Sequence, residues 1–164
     1  MWVLRHVSDI VTAGEQLTDL PAVQLAALYH DVTYDPRATD NETRSGVIAM
    51  RAATEIGWPN QRCQMVKRLV VATAGHMPSD ADEAVLVDAD LAILGARPSD
   101  YSAYVTGIRA EYAHVPDDAW RTGRGAILRG FLALPHLFTT SHMRAERESR
   151  ARANITAELA ALGG

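Results

Sequence analysis

Apolar residues recur every three or four positions along nearly the whole chain, the spacing that paints one stripe down a helix, while apolar/polar alternation is almost missing. The stripes predict helices near 2–16, 21–33, 41–56, 60–75, 81–95, 99–113, 117–133 and 143–162. Punctuation agrees with the stripes. Pro21, Pro59, Pro98 and Pro116 sit at or just before helix starts, where a missing N–H costs nothing, and Thr39 with Glu42 predicts a capping box for the third helix. The longest non-periodic piece, Thr33 to Asp40, is too short to separate domains. The expectation is an all-α protein, a single-domain bundle of about seven to eight helices spanning residues 1–164.

Composition narrows the class. A chain of 164 residues that is 48% hydrophobic can bury a real core. A net charge of −4 excludes a general attraction to nucleic acid or to anionic lipid, although a local basic site for a phosphorylated ligand stays open. Cys63 is the only cysteine, so neither an intramolecular disulfide nor a Cys-rich zinc site can be built; both facts suit a reducing, cytoplasmic compartment. No apolar run approaches the roughly 20 residues that span a bilayer, so no membrane partner is expected. Trp2, Val3, His6 and Ile10 already follow helical spacing with no cap before them, which predicts a chain that begins inside a helix.

Chemistry is concentrated at His30-Asp31, an imidazole and a carboxylate side by side at the end of an apolar helix. A carboxylate kept from water costs several kcal/mol unless something compensates it, and a divalent cation is the usual compensation where histidines lie near. His6 shares the apolar face of the first helix, and the short Leu17 to Leu20 connection favours an antiparallel second helix beside it. Asp90 has Leu86, Val87, Ile93 and Leu94 around it at helical spacing, whereas Asp88 is rotated about 200° away, so Asp90 is the better candidate for the same ion. Each of these residues also has a plain structural reading: a satisfied core histidine for His6, a capping or ion-paired carboxylate for Asp90. Two imidazoles and two carboxylates suit Mn, Fe, Co, Ni or Zn and leave coordination positions for water.

Around this set, His76 follows the fourth helix and is a candidate for a second metal or a phosphate, or else a helix-terminal histidine favoured by the dipole. Glu42 opens the third helix and is either a water-orienting general base or half of the capping box. Asp31 and Glu42 are thus the candidate catalytic residues. Arg44 and Arg37 are candidates for phosphate contact or ordinary surface charges, with Lys67 and Arg68 weaker. Asp35, before Pro36, reads as a loop-fixing residue. The last helix, with Arg144, Arg147, Arg150 and Arg152 among glutamates, reads as a solvated packing helix whose apolar side could serve a homodimer.

The order His6, His30-Asp31, Asp90 resembles the H…HD…D signature of the HD superfamily of metal-dependent phosphohydrolases. The stretch Leu28 to Arg37, with Asp40 to Ser45, Ala72-Thr73 to His76, Asp88 to Gly95, and Glu111-Tyr112 to Val115-Pro116-Asp117, is similar to a bacterial subfamily of that group. The resemblance covers most of the chain and implies an all-helical fold with metal on His6, His30, Asp31 and Asp90. It also implies a further helix and a Tyr-His pair ahead of Leu4-Arg5-His6, where this sequence has only Met1-Trp2-Val3. The function expected is hydrolysis of a small phosphorylated metabolite, a nucleotide being one candidate, by a metal-activated water. The alternative is a non-catalytic metal- or nucleotide-binding sensor or interaction module of the same fold.

Overall fold

The computed structural model describes residues 2–163, and over these it is all-helical, with no strand. The elements are α1 (Trp2–Thr12), α2 (Leu20–Tyr29), α3 (Asn41–Glu55), α4 (Asn60–Ala72), α5 (Ala81–Asp90), a 3-10 helix (Leu91–Gly95), α6 (Pro98–Glu111), α7 (Asp117–Ala133) and α8 (Ser141–Ala161).

Helix ends differ from the periodic pattern for identifiable reasons. α1 stops at Thr12 instead of continuing to 16 because Gly14 takes φ +99°, donates to the Val11 carbonyl, and lets Glu15 donate to Ile10. Gly57, at φ +81°, closes α3 the same way through Thr54 and Ala53. Both are six-to-one caps that need a left-handed residue, a conformation glycine adopts without a Cβ penalty. The capping box at Thr39 and Glu42 does not form. α3 starts at Asn41 behind Asp40, so Thr39 sits one residue too early, and Asp40 makes no side-chain capping bond. α2 has a cap that the pattern missed. Asp19 Oδ1 accepts the Ala22 N–H at 3.1 Å, and the Arg62 guanidinium, stacked 3.7 Å from the Trp58 ring, grips both oxygens of Asp19 at 2.6 Å.

Contacts cluster into two compact units, the first running to Asp90 and the second from Leu91. In the first, α2 is the hub, packing against α1, α3, α4 and α5. It can do so because Ala22, Val23, Ala26 and Ala27 give it small buried side chains, so neighbouring backbones approach closely. Val7, Ile10, Val66, Leu69 and Leu86 complete this core, and Cys63 lies within it with its thiol donating to the Trp58 carbonyl at 3.3 Å.

In the second unit, α8 carries the 3-10 helix. The 3-10 carbonyls are capped by α8 side chains: Asn154 Nδ2 donates to Leu94 and Ala96, Arg147 to Ala92 and Gly95, and Arg150 to Gly95. Arg152 similarly takes the carbonyls of Leu132, Leu134 and Pro135. The arginines of α8 thus cap carbonyls while Arg144 and Arg150 keep the solvent exposure that their spacing among glutamates suggested. Deeper in, Glu158 receives Arg124 through two bonds of 2.7 and 3.1 Å and the Tyr101 hydroxyl at 2.5 Å, all three residues being buried. Burial raises the Tyr101 pKa, reinforced by the hydrogen bond to Glu158.

Candidate functional site

All of the residues singled out for chemistry fall in the first unit: His30 and Asp31 where α2 ends, Glu42 where α3 begins, His76 between α4 and α5, Asp90 at the end of α5, and His6 on α1. α2 ends at Tyr29, so His30 is its C-cap residue and Asp31 lies just past it. The His30 ring is fixed from behind, its Nδ1 lying 3.0 Å from the Ala27 carbonyl. A carbonyl can only accept, so Nδ1 carries the hydrogen and the neutral ring presents a lone pair at Nε2. That Nε2 faces two carboxylates: Asp90 Oδ1 at 3.4 Å and Asp31 Oδ2 at 3.5 Å. Charge-assisted hydrogen bonds close to about 2.7–2.9 Å. Donors held about 2.1 Å from a tetrahedral ion instead stand roughly 3.4 Å apart.

Three electron-rich atoms directed at one another call for a positive charge between them. A proton on Nε2 is one way to supply it. Burial works against a charged His30, but the Asp90 hydrogen bond and charge, the Asp31 charge and the Ala27 carbonyl together hold its pKa above the ordinary imidazole value. A divalent cation is the other way, and a histidine whose far nitrogen is tied to a backbone carbonyl is the usual metal-ligating arrangement. The donor set thus fits such an ion in chemistry. In geometry the donors meet pairwise about His30 and Asp90; among the described residues no group of three or more His, Cys, Asp or Glu side chains closes on one point as a metal site.

Asp90 is shared. Its Oδ2 lies 3.8 Å from Nε2 of His76. His76 is in the 73–80 connection, with its backbone at φ +50°, the one non-glycine among the described residues with positive φ. Burial lowers the His76 pKa by more than the charges of Asp90 and Glu42 raise it. The two imidazoles that flank Asp90 are thus pushed in opposite directions, which separates a cation-accepting ring from a neutral one. Glu42, half-buried at the start of α3, adds its charge to that of Asp90 in raising the His76 pKa.

His6 is buried on the face of α1, the helix that packs against both α2 and α5. Its Nδ1 lies 3.3 Å from Oδ2 of Asp9 on its own helix, and its ring stands edge-on to Trp2. His30, Asp31, Asp90 and His76 are therefore joined by direct side-chain contacts; His6 is on the neighbouring helix. Asp88 is fully buried, while Asp90 keeps partial access to solvent. Arg44 and Arg37 are exposed on α3 and in the loop before it. Arg68 is committed elsewhere, pairing with Asp80 at 2.8 Å and with Glu83, so it latches the far end of the 73–80 connection. Asp35 fixes its loop as its position before Pro36 suggested, its Oδ1 accepting the Arg37 N–H at 2.9 Å.

Sequence reasoning missed Asn41 and Ser45. Asn41 accepts the Asp35 N–H at 3.0 Å and donates to the Asp35 carbonyl at 2.8 Å. Ser45 Oγ accepts the Thr33 N–H at 3.0 Å and donates to the Thr33 carbonyl at 3.3 Å. Their four-residue spacing, which puts two short polar side chains on one helical face opposite an irregular segment, was the available signal.

Compared with family models, curated proteins and solved structures, the chain finds no match. Among the described residues no helix is long and apolar enough to cross a membrane.

Proposed function

We propose that this chain is a metal-dependent phosphohydrolase of the HD type, acting on a small phosphorylated metabolite, with nucleotides among the substrates to be tried first. The observation that carries the reading is His30: its Nδ1 is committed to Ala27, and its Nε2 is aimed at Asp31 and Asp90 at the spacing of neighbouring ligands. The order of residues that resembles the HD signature supports the same assignment. His30, Asp31 and Asp90 would hold a divalent transition metal, with His6 as the further ligand from α1. When bound, the ion supplies a water activated near neutral pH and polarises a phosphoryl oxygen.

The remaining steps belong to the protein. The Asp31 side chain is more than half exposed, so substrate arriving from solvent can reach it. Glu42 takes up the proton of the attacking water or orients it. His76, kept neutral by burial, has one N–H to give to a phosphate oxygen or to the leaving group. Arg44 and Arg37 are exposed cations that meet the anionic end of the substrate. The lone, buried Cys63 suits a reducing compartment, and we assign the cytoplasm on that ground.

The test is a panel of phosphorylated metabolites assayed with Mn, Co or Ni, using Asp31→Ala as the control. Phosphate release that needs added metal and disappears in the control is expected. Metal uptake without turnover of any compound would favour the sensor reading, and phosphate release that persists in Asp31→Ala would remove Asp31 from the chemistry.

A further inference from the structure

The segment from Val32 to Asp40 leaves α2 immediately after Asp31 and returns to the start of α3, where Glu42 is. It has no regular secondary structure of its own, yet two residues in it, Thr33 and Asp35, have both their backbone N–H and C=O groups taken by side chains of α3. Asn41 pairs with Asp35 as an amide pairs with a peptide, and Ser45 does the same for Thr33 with one hydroxyl. The two clamping residues are buried, Ser45 completely. The clamped residues alternate, two apart, as one edge of an extended strand presents its groups. The effect is a strand-like pairing in which the second strand is replaced by the side chains of one helical face.

We propose that Asn41 and Ser45 are positioning residues for the metal site: they set the path of the chain beyond Asp31 and tie it to the α3 end that carries Glu42. This rests on the metal-dependent reading above. His30 already has its own anchor at Ala27, so the ring is located by α2 itself. Asp31 has left the helix, and the direction of its carboxylate follows the backbone that Thr33 and Asp35 fix. Holding that backbone from Asn41 puts the Asp31 end and the Glu42 end in one unit, since Asn41 and Glu42 are adjacent on the same helical turn. Groups that hydrogen-bond a metal ligand directly govern affinity by about 10–100-fold; Asn41 and Ser45 act one step further out, through the backbone that follows Asp31, so the lower end of that range is expected of them.

The experiment uses Co(II) alone as the probe, with the full chain and no substrate. Affinity is read by titration, and the visible absorption of bound Co(II) reports the symmetry of its ligands. Asn41→Ala and Ser45→Ala are compared with the unaltered chain and with Asp19→Ala, which loosens the opposite end of α2 and touches none of these residues. The expected result is an affinity at least about tenfold lower in each clamp variant, with an altered Co(II) band. Asp19→Ala should keep the band unchanged even though its melting temperature falls. Clamp variants that bind Co(II) with the original affinity and band would overturn the positioning role while leaving the metal reading in place. An unaltered chain that takes up no Co(II) would overturn the metal reading and this inference with it. A Co(II) band altered equally in Asp19→Ala would reduce the effect to general destabilisation and also overturn it.

Discussion

His76 Nε2 and Asp90 Oδ2 stand 3.8 Å apart, and the histidine holds that position from a left-handed backbone, φ +50°. A side chain other than glycine held there costs about 1 kcal/mol or more, which persists where the surroundings impose it. Here the latch of Arg68 with Asp80 and Glu83, reinforced by the Ser79 N–H and hydroxyl both donating to Glu83 Oε2 at 2.7 Å, secures the far end of the connection.

His76→Gly therefore separates stability from function. The variant should be more stable by about 1 kcal/mol, because glycine takes this conformation freely. If His76 donates to the phosphate, turnover should fall by about a hundredfold. Chemical denaturation and an assay on whichever substrate the panel yields would check both halves. A destabilised but fully active variant would contradict both.

The buried triad of the second unit gives a prediction about stability alone. Glu158→Ala leaves the buried Arg124 guanidinium without a carboxylate, with the Tyr104 ring 5.8 Å away as a weak substitute, and should cost about 3–5 kcal/mol. Replacing both partners with apolar residues, Arg124→Met with Glu158→Leu, removes the stranded charge and should recover much of that loss. Urea unfolding of the single and double variants would measure the difference; equal losses in both would argue against a charge-desolvation cause.

Acid should weaken the first unit through Asp19. Its hydrogen bond with Arg62 holds the Asp19 pKa below the ordinary value of 3.8, helped by the Ala22 N–H and the Arg62 charge and opposed by burial. Because the folded-state value is the lower one, the contribution is fully present above the unfolded pKa and is lost as pH falls through the folded pKa. The stability gap between the unaltered chain and Asp19→Asn should then be constant above about pH 5 and shrink steadily below pH 3.8. A gap that stays the same down to the acid limit would mean the charge contributes nothing.

Much of this architecture is legible in the sequence because helical periodicity is a local signal. The stripes around Val7 and Ile10, or Val66 and Leu69, need no knowledge of the partner to locate their helices. Ends were read less well. Gly14 marks the end of α1 plainly, yet apolar spacing alone runs past it, and the Thr39 capping box fails by a single residue because the loop is held by Asn41 and Ser45 instead. At the site, His30, Asp31 and Asp90 could be linked from their residue types and apolar surroundings. The role of Asp90 as a shared carboxylate between His30 and His76 could not, since it depends on how α2, α5 and the 73–80 connection converge. The carbonyl contacts of the α8 arginines were illegible for the same reason: which carbonyl a cation caps depends on what lies across from it.

The placement of Cys63 has a practical consequence. The only sulfhydryl in the chain is sealed in the heart of the first unit, 1% accessible. An alkylating reagent can reach it only when α4 comes away from its neighbours, so the rate of modification counts those openings without any engineered label. The sequence thus carries its own gauge of how often the α4 side of this unit breathes, at the end of α2 away from the histidine–aspartate pair, and of how far an ion bound at that pair quiets the whole unit.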